Sequence, residues 1–133
     1  MANKPIKPVA LVAAKWWVAV MKNGLKHKNQ HPLLFLQQLA NKGTPYPQKT
    51  YDRFEKQLAT KLSQGLDEFS LISLYTKTKP EGLLATCAKN SVILYQFNNP
   101  FPQHVTMQVT PQKVVVKSAN FYEVLYDQNE LEK

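Results

Sequence analysis

Proline and glycine punctuate this chain in pairs, and that punctuation limits what it can fold into. Only four glycines occur in 133 residues. Three of them, Gly24, Gly43 and Gly65, close apolar segments that open near a proline. Pro suits the first helical position because its missing N–H would have no partner there anyway, and Gly ends helices because it enters the left-handed region without steric cost. The pattern predicts three helices: from Pro8 to about Asn23, from Pro32 to the residue before Gly43, and from near Pro47 to the residue before Gly65. Thr44-Pro45-Tyr46-Pro47 forms a rigid lead-in to the third.

The third segment shows helical periodicity most clearly. At 100° per residue Tyr51, Phe54, Leu58 and Leu62 share one stripe, and Lys49, Arg53, Lys56 and Thr60 gather on the other side. The first segment is apolar nearly all round apart from Lys15 and Lys22, so it belongs at the centre of a core or under a second copy of the chain.

After Gly65 the pattern changes. Phe69 to Thr76 reads as a strand rich in β-forming residues, and Pro80 to Asn90 as a short fourth helix burying Leu83, Leu84, Cys87 and Ala88. Beyond Ser91 the chain is β-rich. Val92 to Phe97 is an apolar run, and Val105, Met107 and Val109 alternate with polar residues. Pro111-Gln112 turns the chain, and Val114 to Lys117 returns as the second arm of a hairpin. Phe121, Val124 and Leu125 suit a last strand or a turn of helix. The expected class is α+β: a single domain over 1–133, with a helical part about 8–65 and a mixed, β-rich part about 69–126. Three N-terminal helices and a short fourth helix would pack on a small antiparallel sheet.

Charge is divided as unevenly as structure. The first 66 residues hold eleven Lys or Arg against Asp52 and Glu55, a balance of +9, whereas the chain as a whole carries +8. Clustered cations raise the local concentration of anions and the rate at which they associate. Two clusters stand out: Lys49, Arg53 and Lys56 on the third helix, and Lys22, Lys26 and Lys28 around His27 and His31. Trp16 and Trp17 point about 100° apart, so one ring could line a surface beside Lys15 and stack on a base. His104, at the start of the hairpin, could reach a phosphate from a strand end.

Catalytic and metal signatures are weak by comparison. His27 and His31 have i, i+4 spacing but fall on an expected loop without further ligands, so no metal is expected. Cys87 falls on a buried stripe, where a thiol is inert, and Asp52, Glu55, Asp67 and Glu68 suit charge pairing or capping. No two glycines lie close enough to form a phosphate-cradling loop, so no nucleotide cofactor is expected, and neither is an enzyme. A single cysteine fits a reducing, cytoplasmic compartment. Lys15 interrupts the apolar run from Val9 to Ala14 too early for a signal peptide or a membrane span.

Ala13-Ala14-Lys15-Trp16-Trp17, Phe101-Pro102, Met107-Gln108-Val109, Val114-Val115-Val116 and Leu125-Tyr126 together resemble a group of small, largely uncharacterised bacteriophage and prophage proteins. In these an Ala-Lys-Trp-Trp helix opens the chain and a Phe-Pro-x4-Met-x-Val strand begins a C-terminal hairpin. This chain departs by carrying Gln103-His104 where the group has Trp-Lys, and Ala119-Asn120-Phe121 where the group has a glycine-flanked Tyr. The resemblance implies a mobile-element origin and action by binding, either blocking a host defence enzyme or sequestering a nucleotide signal.

The sequence therefore leads to an expected non-enzymatic binding protein for a phosphate-bearing nucleotide, acting in the host cytoplasm as a homo-oligomer. Lys15, Lys49, Arg53, Lys56 and His104 would hold phosphates, and Trp16 or Trp17 would stack a base. The alternatives are a nucleic-acid binder using the same basic helical face and an inhibitor docking on an acidic host protein.

Overall fold

Pro8 opens the first helix, where Lys7 caps it through its carbonyl, accepting from the N–H groups of Ala10 (3.0 Å) and Leu11 (3.2 Å). The computed structural model describes residues 5–23, 46–97, 99–119 and 121–128. Among these the elements are α1 (Pro8–Asn23), α2 (Gln48–Gly65), β1 (Ile72–Tyr75), α3 (Gly82–Asn90), β2 (Thr106–Val109), β3 (Lys113–Ser118) and β4 (Phe121–Asp127). The class is α+β, with three helices and one four-stranded antiparallel sheet among the described residues. The helix expected from Pro32 to the residue before Gly43 and the basic loop holding Lys26, His27, Lys28 and His31 lie outside the described residues. Among the described residues the expected count of four helices, three of them N-terminal, is accordingly not matched.

α1 and α2 pack along each other. Val9, Ala10, Ala13, Ala14, Trp17, Val18, Val20 and Met21 of α1 are buried, and so are Tyr51, Phe54, Leu58, Ala59 and Leu62 of α2. The apolar stripe expected on α2 is thus the one that faces the core. α1 leaves a narrow outer line of Pro8, Leu11, Lys15 and Ala19. Its wide apolar girth is buried within the chain, against α2 on one side and the sheet on the other, so no second copy is needed to cover it. The helix ends are tied together where Ser63 Oγ accepts the Lys7 main-chain N–H (3.1 Å) and Lys7 Nζ pairs with Asp67 (2.8 Å).

Gly65 is the last residue of α2, and a Cβ there would meet Ile72 Cδ1 at 2.7 Å. Its missing side chain lets β1 begin close against the helix end. β1 then pairs with β2 across an excursion through α3. That helix starts at Gly82, two residues later than the sequence suggests, because Pro80 is held in a bridge to Thr76 and buried. Leu84, Cys87 and Ala88 face inward as expected, with Leu83 partly buried against the core.

Residues 92–97 are a second departure. The apolar run makes successive turns, closed by Ile93 N–H to Ala88 C=O (2.8 Å) and Phe97 N–H to Leu94 C=O (3.0 Å). Ile93 and Tyr95 enter the core, whereas Val92, Leu94 and Phe97 face outward. Val92 sits at φ 62°, a costly backbone for a β-branched residue. Phe101 then drops between the helices, its ring 6.3 Å from that of Trp17 and 5.7 Å from that of Phe54. Asn99 fixes the approach by accepting from the Phe101 N–H (3.0 Å) and donating to the Thr78 carbonyl (3.0 Å).

The sheet order is β1-β2-β3-β4, all antiparallel. The hairpin of β2 and β3 forms as the alternation predicts, and Phe121 to Asp127 resolves as a strand. Side chains on successive strand residues point to opposite faces, so the register assigns each row to one side. Leu74–Met107–Val116–Glu123 and Ile72–Val109–Val114–Tyr126 run along the helix side. Tyr75–Thr106–Lys117–Tyr122 and Ser73–Gln108–Val115–Val124 run along the other. A bulge between Val114 and Val115 leaves Leu125 of β4 as the extra residue.

Candidate anion-binding site

The core stripe of α2 fixes the direction of its opposite face. With Tyr51, Phe54, Leu58 and Leu62 buried, Lys49, Arg53 and Lys56 are held outward at i, i+4 and i+7, and all three are exposed. At 1.5 Å rise per residue they span about 10 Å along the helix. Among the described residues none of the three has an acidic partner, and they take no part in the ion pairs Lys7–Asp67 and Lys15–Glu55. The acids of the same helix are engaged elsewhere: Asp52 accepts from Gln48 Nε2 (2.9 Å), and Glu55 faces Lys15 of α1 (3.6 Å).

The other expected site residues divide. Lys15 is exposed and reaches toward α2, but its charge is shared with Glu55. An exposed pair of this kind is worth at most ~1 kcal/mol and opens readily to a competing anion. Trp17 is fully buried and packs edge-on against Trp16, with ring centroids 5.0 Å apart, so it cannot stack a base. Trp16 is only partly buried, which makes it the tryptophan with an accessible ring surface. His104 is exposed with φ 56° at the start of β2, and its N–H donates to the Lys77 carbonyl (2.9 Å). That places it beside Lys77 and Lys79, at an end of the sheet.

A polar feature the sequence did not suggest flanks the base of α2. Tyr51 is fully buried beneath Lys22, whose Nζ lies 6.0 Å from its ring centroid and donates to Gln48 Oε1 (2.6 Å). Burial, reinforced by the neighbouring Tyr46, pushes the Tyr51 hydroxyl up to about 12. Tyr46 packs edge-on at 6.1 Å, and burial raises its hydroxyl too, opposed by a hydrogen bond with the Leu94 main chain. The aromatic pair ties the N-terminal end of α2 to the turns of residues 92–97.

Cys87 behaves as its stripe predicts. It is fully buried, and burial pushes its thiol up to about 11, against a smaller opposing effect of Lys61. Such a thiol stays protonated at neutral pH and is a poor nucleophile. Among the described residues no group of three His, Cys, Asp or Glu side chains could hold a metal ion. No described helix is long and apolar enough to cross a membrane.

Sequence reasoning also missed Tyr75, Lys117 and Tyr122, which the register places in one row on the sheet face away from the helices. Their signal is weak because each is an ordinary strand residue until pairing aligns them. Compared with protein-family models, curated proteins and solved structures, the chain matches none.

Proposed function

We propose that this chain is a non-enzymatic binding protein for a phosphate-bearing nucleotide, of the phage counter-defence kind, acting in the host cytoplasm. The observation that carries it is the stripe Lys49, Arg53 and Lys56, presented outward by α2 with no acidic partner among the described residues. A planar Arg flanked by two Lys suits a phosphate group, since Arg binds it bidentately and Lys adds point charge. Lys15 can join after releasing Glu55, and the accessible part of Trp16 lies next to it in sequence on the same helix.

The test is a thermal-shift panel of nucleotides, including cyclic oligonucleotides, on the wild type and on Lys49→Gln/Arg53→Gln/Lys56→Gln. A ligand at 100 times its Kd stabilises by about 2.7 kcal/mol, or roughly 10 °C for a domain of this length. The triple variant should lose that shift while keeping its own melting temperature. No shift from any nucleotide at millimolar concentration would overturn the proposal.

A further inference from the structure

We propose that the solvent face of the sheet is a second binding surface, built for an unpaired nucleic acid strand. All three described helices lie on the other side: α1 packs on β2, β3 and β4, and α3 packs on β1 and α2. Of the four rows defined by the register, the two facing the helices bury Leu74, Met107, Val109, Val114 and Val116 completely or nearly so, and in the two outer rows only Val115 is buried, at 8% exposed. The row Tyr75–Thr106–Lys117–Tyr122 runs straight across all four strands on the opposite side. Its terminal tyrosines are exposed, Tyr75 by 39% and Tyr122 by 66%.

Two exposed rings at the ends of one row are a platform of known chemistry. Aromatic faces on a sheet stack nucleic acid bases, which are available in a single strand and hidden in a duplex. Three strand spacings of ~4.8 Å put the two tyrosines about 14 Å apart. A mononucleotide covers one ring at a time, whereas an oligonucleotide reaches both. Between them Lys117 supplies a cation for the connecting phosphates. The Thr106 hydroxyl and the Gln108 amide in the next row offer hydrogen bonds to base edges or sugars.

Charge agrees with that choice of occupant. Lys77 and Lys79 follow Tyr75, and His104 precedes the β2 strand and is bonded to the Lys77 carbonyl. Four basic side chains, Lys77, Lys79, His104 and Lys117, therefore gather at the Tyr75–Tyr122 end of the sheet. None of them has an acidic partner among the described residues. Asp127 lies opposite Lys113 at the other end, and Glu123 belongs to the helix-side row. Glu81 is the nearest acid along the chain and engages Tyr75 through its main-chain N–H (3.1 Å).

The test is fluorescence anisotropy of the full chain with a labelled oligothymidylate of about twelve nucleotides, within the size range a single-strand platform covers. A self-complementary duplex of the same length serves as comparison, both at ~50 mM salt, where phosphate contacts are strongest. Tyr75→Thr and Tyr122→Thr keep strand propensity, and a wild-type urea midpoint confirms their fold. Each should weaken single-strand binding about 5- to 100-fold. Tyr122→Phe should bind like the wild type, and the duplex should bind at least tenfold more weakly.

The surface is independent of the α2 stripe, so the two proposals fail separately. Lys49→Gln/Arg53→Gln/Lys56→Gln should retain the tyrosine-dependent part of single-strand binding. If neither tyrosine substitution changes affinity, or the duplex binds as well as the single strand, the sheet proposal is overturned whatever the stripe variant does. It is equally overturned if the wild type does not bind the oligonucleotide, whether it binds nothing or instead binds phosphatidylserine vesicles through the same tyrosines.

Discussion

Phe101→Ala tests the packing that joins the two halves of the chain. Phe101 comes from the segment before β2, yet its ring lies in the helical layer against Trp17 of α1 and Phe54 of α2. It is 5% exposed, so truncation removes a buried ring and leaves a void among side chains that are themselves fully enclosed. Loss of a buried Phe costs about 3–5 kcal/mol, counting both transfer and cavity. Set against a typical domain stability of ~5–15 kcal/mol, that is a large share. It corresponds to a fall in Tm of roughly 11–18 °C at this chain length. Phe101→Leu keeps much of the volume and forfeits chiefly the two ring contacts, each worth about 0.5–1.5 kcal/mol, so it should cost ~1–3 kcal/mol. Urea unfolding followed by tryptophan emission measures both, because Trp17 is a direct neighbour. A loss below ~1 kcal/mol for Phe101→Ala, under the range for buried aromatics, would show that this ring does not link the helices to the sheet.

Alkaline pH should destabilise the fold through Tyr51 and Cys87. Both hold their protons to higher pH when folded, at about 12 against 10.0 and about 11 against 9.0, so the unfolded chain ionises first. Stability should therefore decline between pH 9 and 11 through Cys87 and between pH 10 and 12 through Tyr51. Denaturant melts of Tyr51→Phe across this range should show a shallower decline, and a slope equal to wild type would refute the assignment. Gly82→Ala should cost about 1 kcal/mol although a Cβ there meets nothing within 4 Å, because φ is +53° and an L side chain is strained in that conformation. An unchanged urea midpoint would mean that the residue is not held there.

How much of this was legible follows from the range of each signal. The inward stripe of α2 and its opposing cations could be read directly, since helical neighbours lie three or four residues apart. The hairpin was legible for the same reason, as Val105, Met107 and Val109 alternate within one short window. Which tryptophan is buried was not, because Trp16 and Trp17 differ only by 100° and the choice depends on where α2 and Phe101 lie. The Lys15–Glu55 pair joins two helices and so depends on their packing. The turns at 92–97 replaced a plausible strand because Ile93 and Tyr95 reach the core without a ladder partner. Tyr75, Lys117 and Tyr122 come from three strands, and nothing short of the register brings them into one row.

One of the helix-side rows bears on how the molecule behaves in a crowd. Leu74, Met107 and Val116 are buried, and the row ends at Glu123 on β4, the outermost of the described strands. A further strand added alongside β4 would set its own inward side chain against that carboxylate, and it would have to match a ladder already displaced by the bulge at Leu125. At the opposite margin β1 offers only four residues. Short, charged or kinked margins are how sheets resist templating another chain. Glu123→Val should remove the charge from that defence, leaving β4 more open to pairing between neighbouring molecules.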